Sequence, residues 1–228
     1  MSPPFIFLDL DGTVLDVLPR YHRLHCDAVR RAGGEPLDEG EYWQAKREGI
    51  PELDLLARTG LAPPAAARAA EVRLRRIESR RYLALDRLWP WTETVLNALA
   101  RIAPLVLVTL RHHPGRLGWQ LGRLGLSGSF ERVVAGGGDG TPEAKARLLR
   151  DAGLGGLEGS VLVGDTEVDI ASGRALGLRT IALRCGIRSP ASLAPWDPDL
   201  LLDDLRQVPD VLMRIWAQSW EHGGDRLH

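Results

Sequence analysis

The stretch that most constrains the fold lies near the start of the chain. An apolar run at residues 5–8, Phe-Ile-Phe-Leu, leads directly into residues 9–13, Asp-Leu-Asp-Gly-Thr. A short apolar run that a glycine stops is typical of a buried parallel strand. Side chains two apart on a strand share a face, so Asp9 and Asp11 are expected to point into one small volume. An ordinary Asp-Gly turn is the other interpretation of these residues.

Two carboxylates at such close quarters repel each other unless a cation or a shared proton intervenes. Asp9 and Asp11 are therefore candidates for a Mg2+ site, or for paired nucleophile and acid/base chemistry. The residues themselves leave these alternatives open.

The whole chain has the composition of an ordinary globular protein. It has 228 residues, of which 44% are hydrophobic and 26% charged, enough for one large domain or two smaller ones. A formal charge of −1 argues against nucleic acid as a partner, and the arginines of residues 73–81 are expected to form a solvated helix face. No stretch approaches 18 apolar residues, so no membrane span is expected. Two distant cysteines are typical of a reduced compartment, here the cytoplasm.

Residues 16–88 differ in pattern from the rest of the chain. Leu24, Ala28 and Ala32 recur at four-residue spacing before Gly33, which predicts an amphipathic helix that ends at the glycine. Later prolines in this stretch are placed to open further helices. An all-helical unit inserted after the first strand is the expected structure.

From residue 89 onward, helical patterns alternate with short apolar runs. These runs predict strands at residues 105–109, 132–135, 160–164, 180–183 and 200–202. Alternating strands and helices indicate an α/β fold with a mostly parallel sheet covered on both faces. We therefore predict a Rossmann-like core made of residues 1–15 and 89–228, with the helical unit of residues 16–88 inserted between them.

A second acidic focus follows the predicted strand at residues 160–164. If a helix starts just after Gly164, then Asp165 and Asp169 lie four residues apart and face the same way. Capping of the helix N-terminus is the alternative explanation for Asp165, but it does not explain a second carboxylate on the same face. Several carboxylates at one sheet edge require a divalent cation, and hard oxygen ligands favour Mg2+ over Zn2+.

Two further residues suit the binding of an anion beside these carboxylates. Thr109 is a hydroxyl at the end of an apolar strand, although threonine is common in strands for conformational reasons. Lys145 is one of two lysines among 29 basic residues, which suggests a need for a compact point charge. An exposed helix lysine is the alternative interpretation.

Four features follow one another along the chain: Asp-x-Asp-Gly-Thr starting at Asp9, Thr109, Lys145, and Gly-Asp-Thr-x-x-Asp ending at Asp169. Together and in this order they resemble the motifs of the haloacid dehalogenase superfamily. The closest resemblance is to its phosphoglycolate phosphatase-like members, in which a helical cap domain follows the first motif. The resemblance implies that Asp9 attacks phosphorus to form an aspartyl-phosphate, and that Asp11 protonates the leaving alcohol and then activates water.

The same resemblance implies a cofactor and its ligands. Mg2+ would be held by Asp9, the main-chain carbonyl of Asp11 and Asp165, with Asp169 as a further ligand or an outer support. In this comparison the roles of Thr109 and Lys145 are to bind the oxygens of the transferring phosphoryl group.

The expected substrate is a small phosphorylated metabolite: phosphoglycolate, a sugar phosphate or a nucleotide. Arg47, Arg111 and His112 are candidates for contacting its second polar group. Dehalogenases and phosphonate-cleaving relatives lack an acid equivalent to Asp11, which argues against both. A sugar-phosphate mutase and, with less support, a non-catalytic binding protein remain as alternatives, and the sequence does not choose between monomer and dimer.

Overall fold

The computed structural model describes residues 4–223, with side chains described as far as residue 217. The strands of its main sheet are β1 Ile6–Leu8, β4 Leu105–Thr109, β5 Arg132–Ala135, β6 Val161–Gly164, β7 Arg179–Leu183 and β8 Leu200–Leu202. These six strands are parallel and lie in the order β5-β4-β1-β6-β7-β8. The α/β fold class with a mostly parallel sheet is confirmed.

Helices cover both faces of this sheet. They are α6 Thr92–Ala100, α7 Pro114–Arg123, α8 Pro142–Asp151, α9 Glu167–Ala175, α10 Pro190–Leu193 and α11 Val208–Gly223. Along β1, Ile6 and Leu8 pack into one apolar core while Phe7 packs into a second core on the opposite face. All three side chains are fully buried, as expected for a central strand that helices cover on both sides.

The segment between β1 and α6 is helical apart from a short ribbon. It contains β2 Leu15–Asp16, α1 Leu18–Ala32, α2 Glu39–Arg47, α3 Glu52–Ala57, α4 Pro63–Arg76, α5 Arg80–Leu83 and β3 Arg87–Leu88. β2 and β3 pair in antiparallel fashion, with Leu15 opposite Leu88. Sequence patterns did not predict this ribbon, because two-residue strands carry no periodicity. It lies where residues 16–88 were predicted to begin and end, and that domain division stays a prediction.

One arginine of the predicted solvated face is buried. Arg73 is 5% exposed, its guanidinium donates to the Tyr42 hydroxyl over 3.3 Å, and it lies 3.2 Å from a Glu52 carboxylate oxygen. The expectation was wrong for this residue because Arg73 follows Ala66 and Ala69 on the buried stripe of α4. A buried guanidinium needs acceptors, and the tyrosine and glutamate supply them.

No helix within residues 4–223 is long and apolar enough to cross a membrane. The cytoplasmic location stays a prediction.

Two valines on neighbouring strands test the packing of the sheet. Val108 on β4 is fully buried, whereas Val133 on β5 is 42% exposed. We expect Val108→Ala to lower the free energy of unfolding by about 2–3 kcal/mol, since it removes two packed methyl groups and leaves a cavity. Val133→Ala should change it by less than about 0.5 kcal/mol. Urea denaturation measures both, and equal losses would contradict this core.

Candidate active site

Three polar residues meet where the central strands end. Asp9 directly follows β1, Thr109 is the last residue of β4, and Asp165 directly follows β6. Because β1 lies between β4 and β6 and all three run parallel, these side chains emerge next to one another. The amide of Asp9 still donates to the Val163 carbonyl over 2.9 Å, which fixes its position at the sheet edge. Ligands of open parallel sheets bind at this edge.

Asp9, Asp165 and Asp169 form a compact carboxylate cluster. One carboxylate oxygen from each lies within 4.8 Å of the others. Asp165 and Asp169 are buried, at 0% and 2% exposure. Carboxylate oxygens are the ligands that Mg2+ prefers, so the chemistry of this all-oxygen set fits a Mg2+ ion.

Asp169 reaches the cluster by a route that differs from the predicted one. Helix α9 begins at Glu167, so Asp165 precedes the helix instead of sharing a helical face with Asp169. Asp169 lies in the first turn, where its Oδ2 accepts from the backbone amide and the hydroxyl of Thr166. Capping, which the sequence suggested for Asp165, is thus a role of Asp169, and its other oxygen faces the cluster and accepts from Lys145.

Asp165 is held rigidly by backbone on two sides. Its Oδ2 accepts from the Ile187 amide over 2.6 Å, and its Oδ1 accepts from the Thr13 hydroxyl over 3.0 Å. A Cβ atom added at Gly12 or at Gly186 would lie 2.2 Å from the Asp165 Oδ2. Both positions therefore require glycine, because the main chain approaches the carboxylate too closely for any side chain.

Lys145 provides the cation that faces this cluster. It projects from α8, and its ammonium group donates to Asp9 Oδ1 over 2.5 Å and to Asp169 Oδ1. The residue is 2% exposed. The compact buried charge that the lysine count suggested is therefore present, in contact with two of the three carboxylates.

Burial and like charge set the protonation of the cluster. Burial raises the pKa of Asp9 from 3.8 to about 7, although Lys145 acts in the opposite direction. Burial, together with the charges of Asp9 and Asp169, also raises the pKa of Asp165 well above its ordinary range. Burial acts to lower the pKa of Lys145, but its two carboxylate partners raise it overall. One ammonium therefore does not offset the burial and mutual repulsion of these carboxylates, and Asp9 and Asp165 hold their protons to higher pH than exposed aspartates do.

Asp11 faces a different set of partners. Arg111 binds it through two parallel hydrogen bonds of 2.9 and 2.6 Å, and Arg20 Nη2 lies 2.8 Å from its Oδ2. Burial acts to raise the pKa of Asp11, but the two guanidinium groups outweigh it and the pKa lies below its ordinary value. Asp9 and Asp11 therefore differ strongly in charge state although only one residue separates them.

A buried polar network behind Asp11 was missed in the sequence. Asp86 accepts from Arg20 Nε over 2.9 Å and from the Gln120 amide over 2.6 Å, and lies 3.6 Å from Arg111. The missed signal is a polar residue on an apolar stripe. Arg20 precedes Leu24 by four residues on α1, and Gln120 lies between buried leucines on α7.

A cavity of about 240 Å³ opens over these groups. Residues of the helical segment and of the α/β core line it together: Asp9, Asp11, Arg20, Tyr21, Ile77, Glu78, Thr109, Leu110, Arg111, Lys145, Thr166, Val168 and Ile187. Glu78 also accepts from the backbone amides of His112 and His113, over 2.8 and 3.0 Å. The helical segment is thereby fastened to the loop that follows β4.

The three predicted substrate contacts lie in different places. Arg111 lines the cavity, where it binds Asp11. Arg47 lies outside the cavity and donates to main-chain carbonyls of the core. His112 is exposed, with its ring against the main chain of Gly137. The assignment of these residues to substrate binding stays a prediction.

Comparisons of the sequence and of the structure with known proteins both find haloacid dehalogenase-like hydrolases. Residues 5–177 match the sequence model of the haloacid dehalogenase-like hydrolases. A phosphoglycolate phosphatase of Cupriavidus necator is 30% identical, with 91% of this chain and 92% of the relative covered. A phosphoglycolate phosphatase of Cereibacter sphaeroides is 29% identical over 94% of this chain and all of the relative. A haloacid dehalogenase-like hydrolase structure from Streptococcus pneumoniae has a TM-score of 0.72 at 22% identity, covering 91% of this chain and 97% of that one.

The raised pKa of Asp9 predicts a pH-dependent stability without divalent metal. The pKa of the Asp9 carboxyl is higher in the folded protein than in the unfolded chain. Its ionisation therefore lowers the free energy of unfolding as pH rises from 3.8 towards about 7. We therefore expect Asp9→Asn to exceed wild type in free energy of unfolding by roughly 1–3 kcal/mol at pH 8, and by less at pH 5.

Urea denaturation in EDTA at both pH values measures this difference. Asp54→Asn, which changes an exposed carboxylate, is the matched control and should follow wild type at both. The same difference at pH 5 and pH 8 would contradict the electrostatic description of the cluster.

Proposed function

Because the chain belongs to the haloacid dehalogenase-like hydrolase family, we propose that it is a Mg2+-dependent phosphatase of small phosphomonoesters that works through an aspartyl-phosphate. The observation that carries the proposal is the position of Asp9. Its carboxylate stands at the carboxyl end of β1, in one cavity with Lys145, Thr109 and Asp11, and within the cluster completed by Asp165 and Asp169.

In the first step, an Asp9 carboxylate oxygen attacks phosphorus in line with the ester bond. A new bond forms between Asp9 and phosphorus, the bond from phosphorus to the ester oxygen breaks, and the leaving alcohol takes a proton from Asp11. Thr109 and Lys145 donate to the phosphoryl oxygens, which places hydrogen-bond donors where charge is concentrated in the transition state.

In the second step, Asp11 takes a proton from water, whose oxygen attacks phosphorus. Inorganic phosphate leaves, Asp9 is restored as a carboxylate, and Asp11 is again protonated. This cycle requires Asp11 to hold a proton, which its two arginine partners oppose. We propose that Arg111 and Arg20 turn towards oxygens of the bound substrate, which would allow Asp11 to be protonated.

Mg2+ would be held by Asp9, Asp165 and Asp169, together with the main-chain carbonyl of Asp11. The fit rests on the compact all-oxygen cluster and on the pKa of Asp165, which burial and the neighbouring carboxylates Asp9 and Asp169 raise. When bound, the ion would neutralise the approach of an anionic phosphate to an anionic nucleophile.

We propose that residues 16–88 act as a cap over the site. Support comes from Arg20, Tyr21, Ile77 and Glu78, which belong to this segment and line the cavity with core residues. The β2–β3 ribbon at its base is suited to act as a hinge, so the cap can open for substrate and close to exclude water.

The size of the cavity favours the smallest of the candidate substrates. At about 240 Å³ it lies below the range of roughly 300–1,000 Å³ that holds drug-sized ligands. A compact ester such as phosphoglycolate suits this space better than a nucleotide. The names of the relatives agree with that choice, and the guanidinium groups of Arg20 and Arg111 are placed to bind its carboxylate.

Replacement of the nucleophile tests the proposal directly. We expect wild type to release phosphate from phosphoglycolate or another member of a panel of phosphorylated metabolites in the presence of Mg2+. Asp9→Asn should lower kcat by at least about a thousandfold, because the amide cannot form the covalent bond. A malachite-green assay of inorganic phosphate measures both.

A metal-removal control and two contradicting outcomes complete this experiment. EDTA should abolish wild-type turnover and added Mg2+ should restore it, which tests the metal separately from the nucleophile. Phosphate release by Asp9→Asn at the wild-type rate would contradict the mechanism. Phosphoryl transfer between positions of a sugar, without release of phosphate, would favour a mutase instead.

Asp11→Asn should separate the two steps. With p-nitrophenyl phosphate the leaving group needs no proton, so the first step should proceed while hydrolysis of the aspartyl-phosphate slows. We expect a burst of about one equivalent of nitrophenol per enzyme, followed by slow turnover. Stopped-flow absorbance measures the burst, and unchanged steady-state turnover would refute the acid/base role of Asp11.

A further inference from the structure

The end of α2 is fastened to a core loop by a set of hydrogen bonds that the proposed mechanism does not use. Arg47 Nη1 donates to the Gly186 carbonyl over 2.6 Å, and its Nη2 donates to the Arg184 carbonyl over 2.7 Å. In return, the Arg47 carbonyl accepts from the amide of Ser189 and the hydroxyl of Ser192, over 2.8 and 2.9 Å. Helix α2 belongs to the proposed cap, and all four partners belong to the core.

The same core loop fixes the most buried carboxylate of the cluster. Ile187 donates its amide to Asp165 Oδ2 over 2.6 Å, and its neighbour Gly186 is the residue whose main chain presses on that carboxylate. Arg47 therefore bonds the carbonyl of the same peptide unit whose amide donates to Asp165. The main chain at Gly186 lies directly against the Asp165 carboxylate, so the loop cannot move closer to it. Any shift of this loop would instead move the Ile187 amide away from Asp165.

We infer that Arg47 is a positioning residue for the metal site: by holding the Gly186 carbonyl, it fixes the loop that orients Asp165 and so raises the affinity of the carboxylate cluster for a divalent cation. The inference rests on the proposed function, since it assumes that the cluster binds Mg2+. It gives Arg47 a role at the junction of cap and core, in place of the contact with substrate that the sequence suggested.

Thermodynamic linkage makes the effect reciprocal. If the docking of α2 on this loop strengthens cation binding, then the cation must strengthen docking by the same factor. A closed cap and a loaded metal site would then favour each other before any substrate is present.

The test measures binding of Mn2+ alone, without substrate or turnover. The electron paramagnetic resonance signal of free Mn2+ reports the dissociation constant for wild type and for Arg47→Met. We expect the dissociation constant to rise about tenfold in the variant, the size of effect usual for an outer-shell partner of a metal ligand. Arg47→Lys should fall between the two, because one ammonium cannot replace the planar fork that spans two carbonyls.

Arg80→Met is the matched control, because Arg80 of α5 lies over the Trp119 ring of α7 at 5.3 Å and so joins the helical segment to the core away from the cavity and from the loop beside Asp165. It should leave the dissociation constant unchanged. An equal rise in Arg80→Met and Arg47→Met would overturn the inference, since it would assign the effect to cap docking in general. An unchanged constant in Arg47→Met would also overturn it.

Failure of the metal site that the proposed function assumes gives a different result, because wild type itself would then bind no Mn2+. Circular dichroism checks that each variant is folded, and Arg47→Lys carries the test if Arg47→Met does not fold. As a second readout, Mg2+ should slow hydrogen exchange in residues 184–192 of wild type but not of the Arg47 variant. Equal slowing in both would contradict the coupling.

Discussion

Repulsion among carboxylates at one sheet edge is the constraint on which the rest of this site depends. Parallel pairing of β1 with β6 brings Asp9 and Asp165 together, and the first turn of α9 adds Asp169. Burial and the neighbouring carboxylates raise the pKa of Asp9 to about 7, although Lys145 acts in the opposite direction. The fold therefore maintains an arrangement that is unfavourable without a cation, and such strain is common where a site is built for binding.

The second aspartate of the first motif shows how closely spaced residues acquire different roles. Asp11 is bound by Arg20 from the helical segment and by Arg111 from the core, so its charge depends on contacts across the two parts of the chain. Asp9 depends on core residues alone. In the proposed mechanism, the nucleophile would be held by the core and the proton donor would be bound in part from the proposed cap, which suits a reaction whose two steps place opposite demands on one acid.

Sequence patterns predicted the parts of the fold that follow from periodicity and strand ends. Asp9 and Asp165 were found because apolar runs stop immediately before them, and parallel strands end at one edge. Arg20 and Gln120 were missed because a polar residue on an apolar stripe looks like an interruption of the pattern until its buried partner is known. The bonds of Arg47 to main-chain carbonyls of the core were also missed, because charge alone does not reveal that these acceptors lie within its reach. These contacts depend on how the helical segment packs on the core, which no local pattern encodes.

The covalent intermediate is the central claim, and its location can be measured directly. Wild type is mixed with substrate and Mg2+, quenched in acid within milliseconds, and digested for peptide mass spectrometry after borohydride reduction of the acyl phosphate. The mechanism predicts that the modified residue is Asp9, and that no modification appears when substrate or Mg2+ is omitted. A modified residue other than Asp9, or phosphate release with no trapped intermediate under conditions that capture the burst, would contradict it.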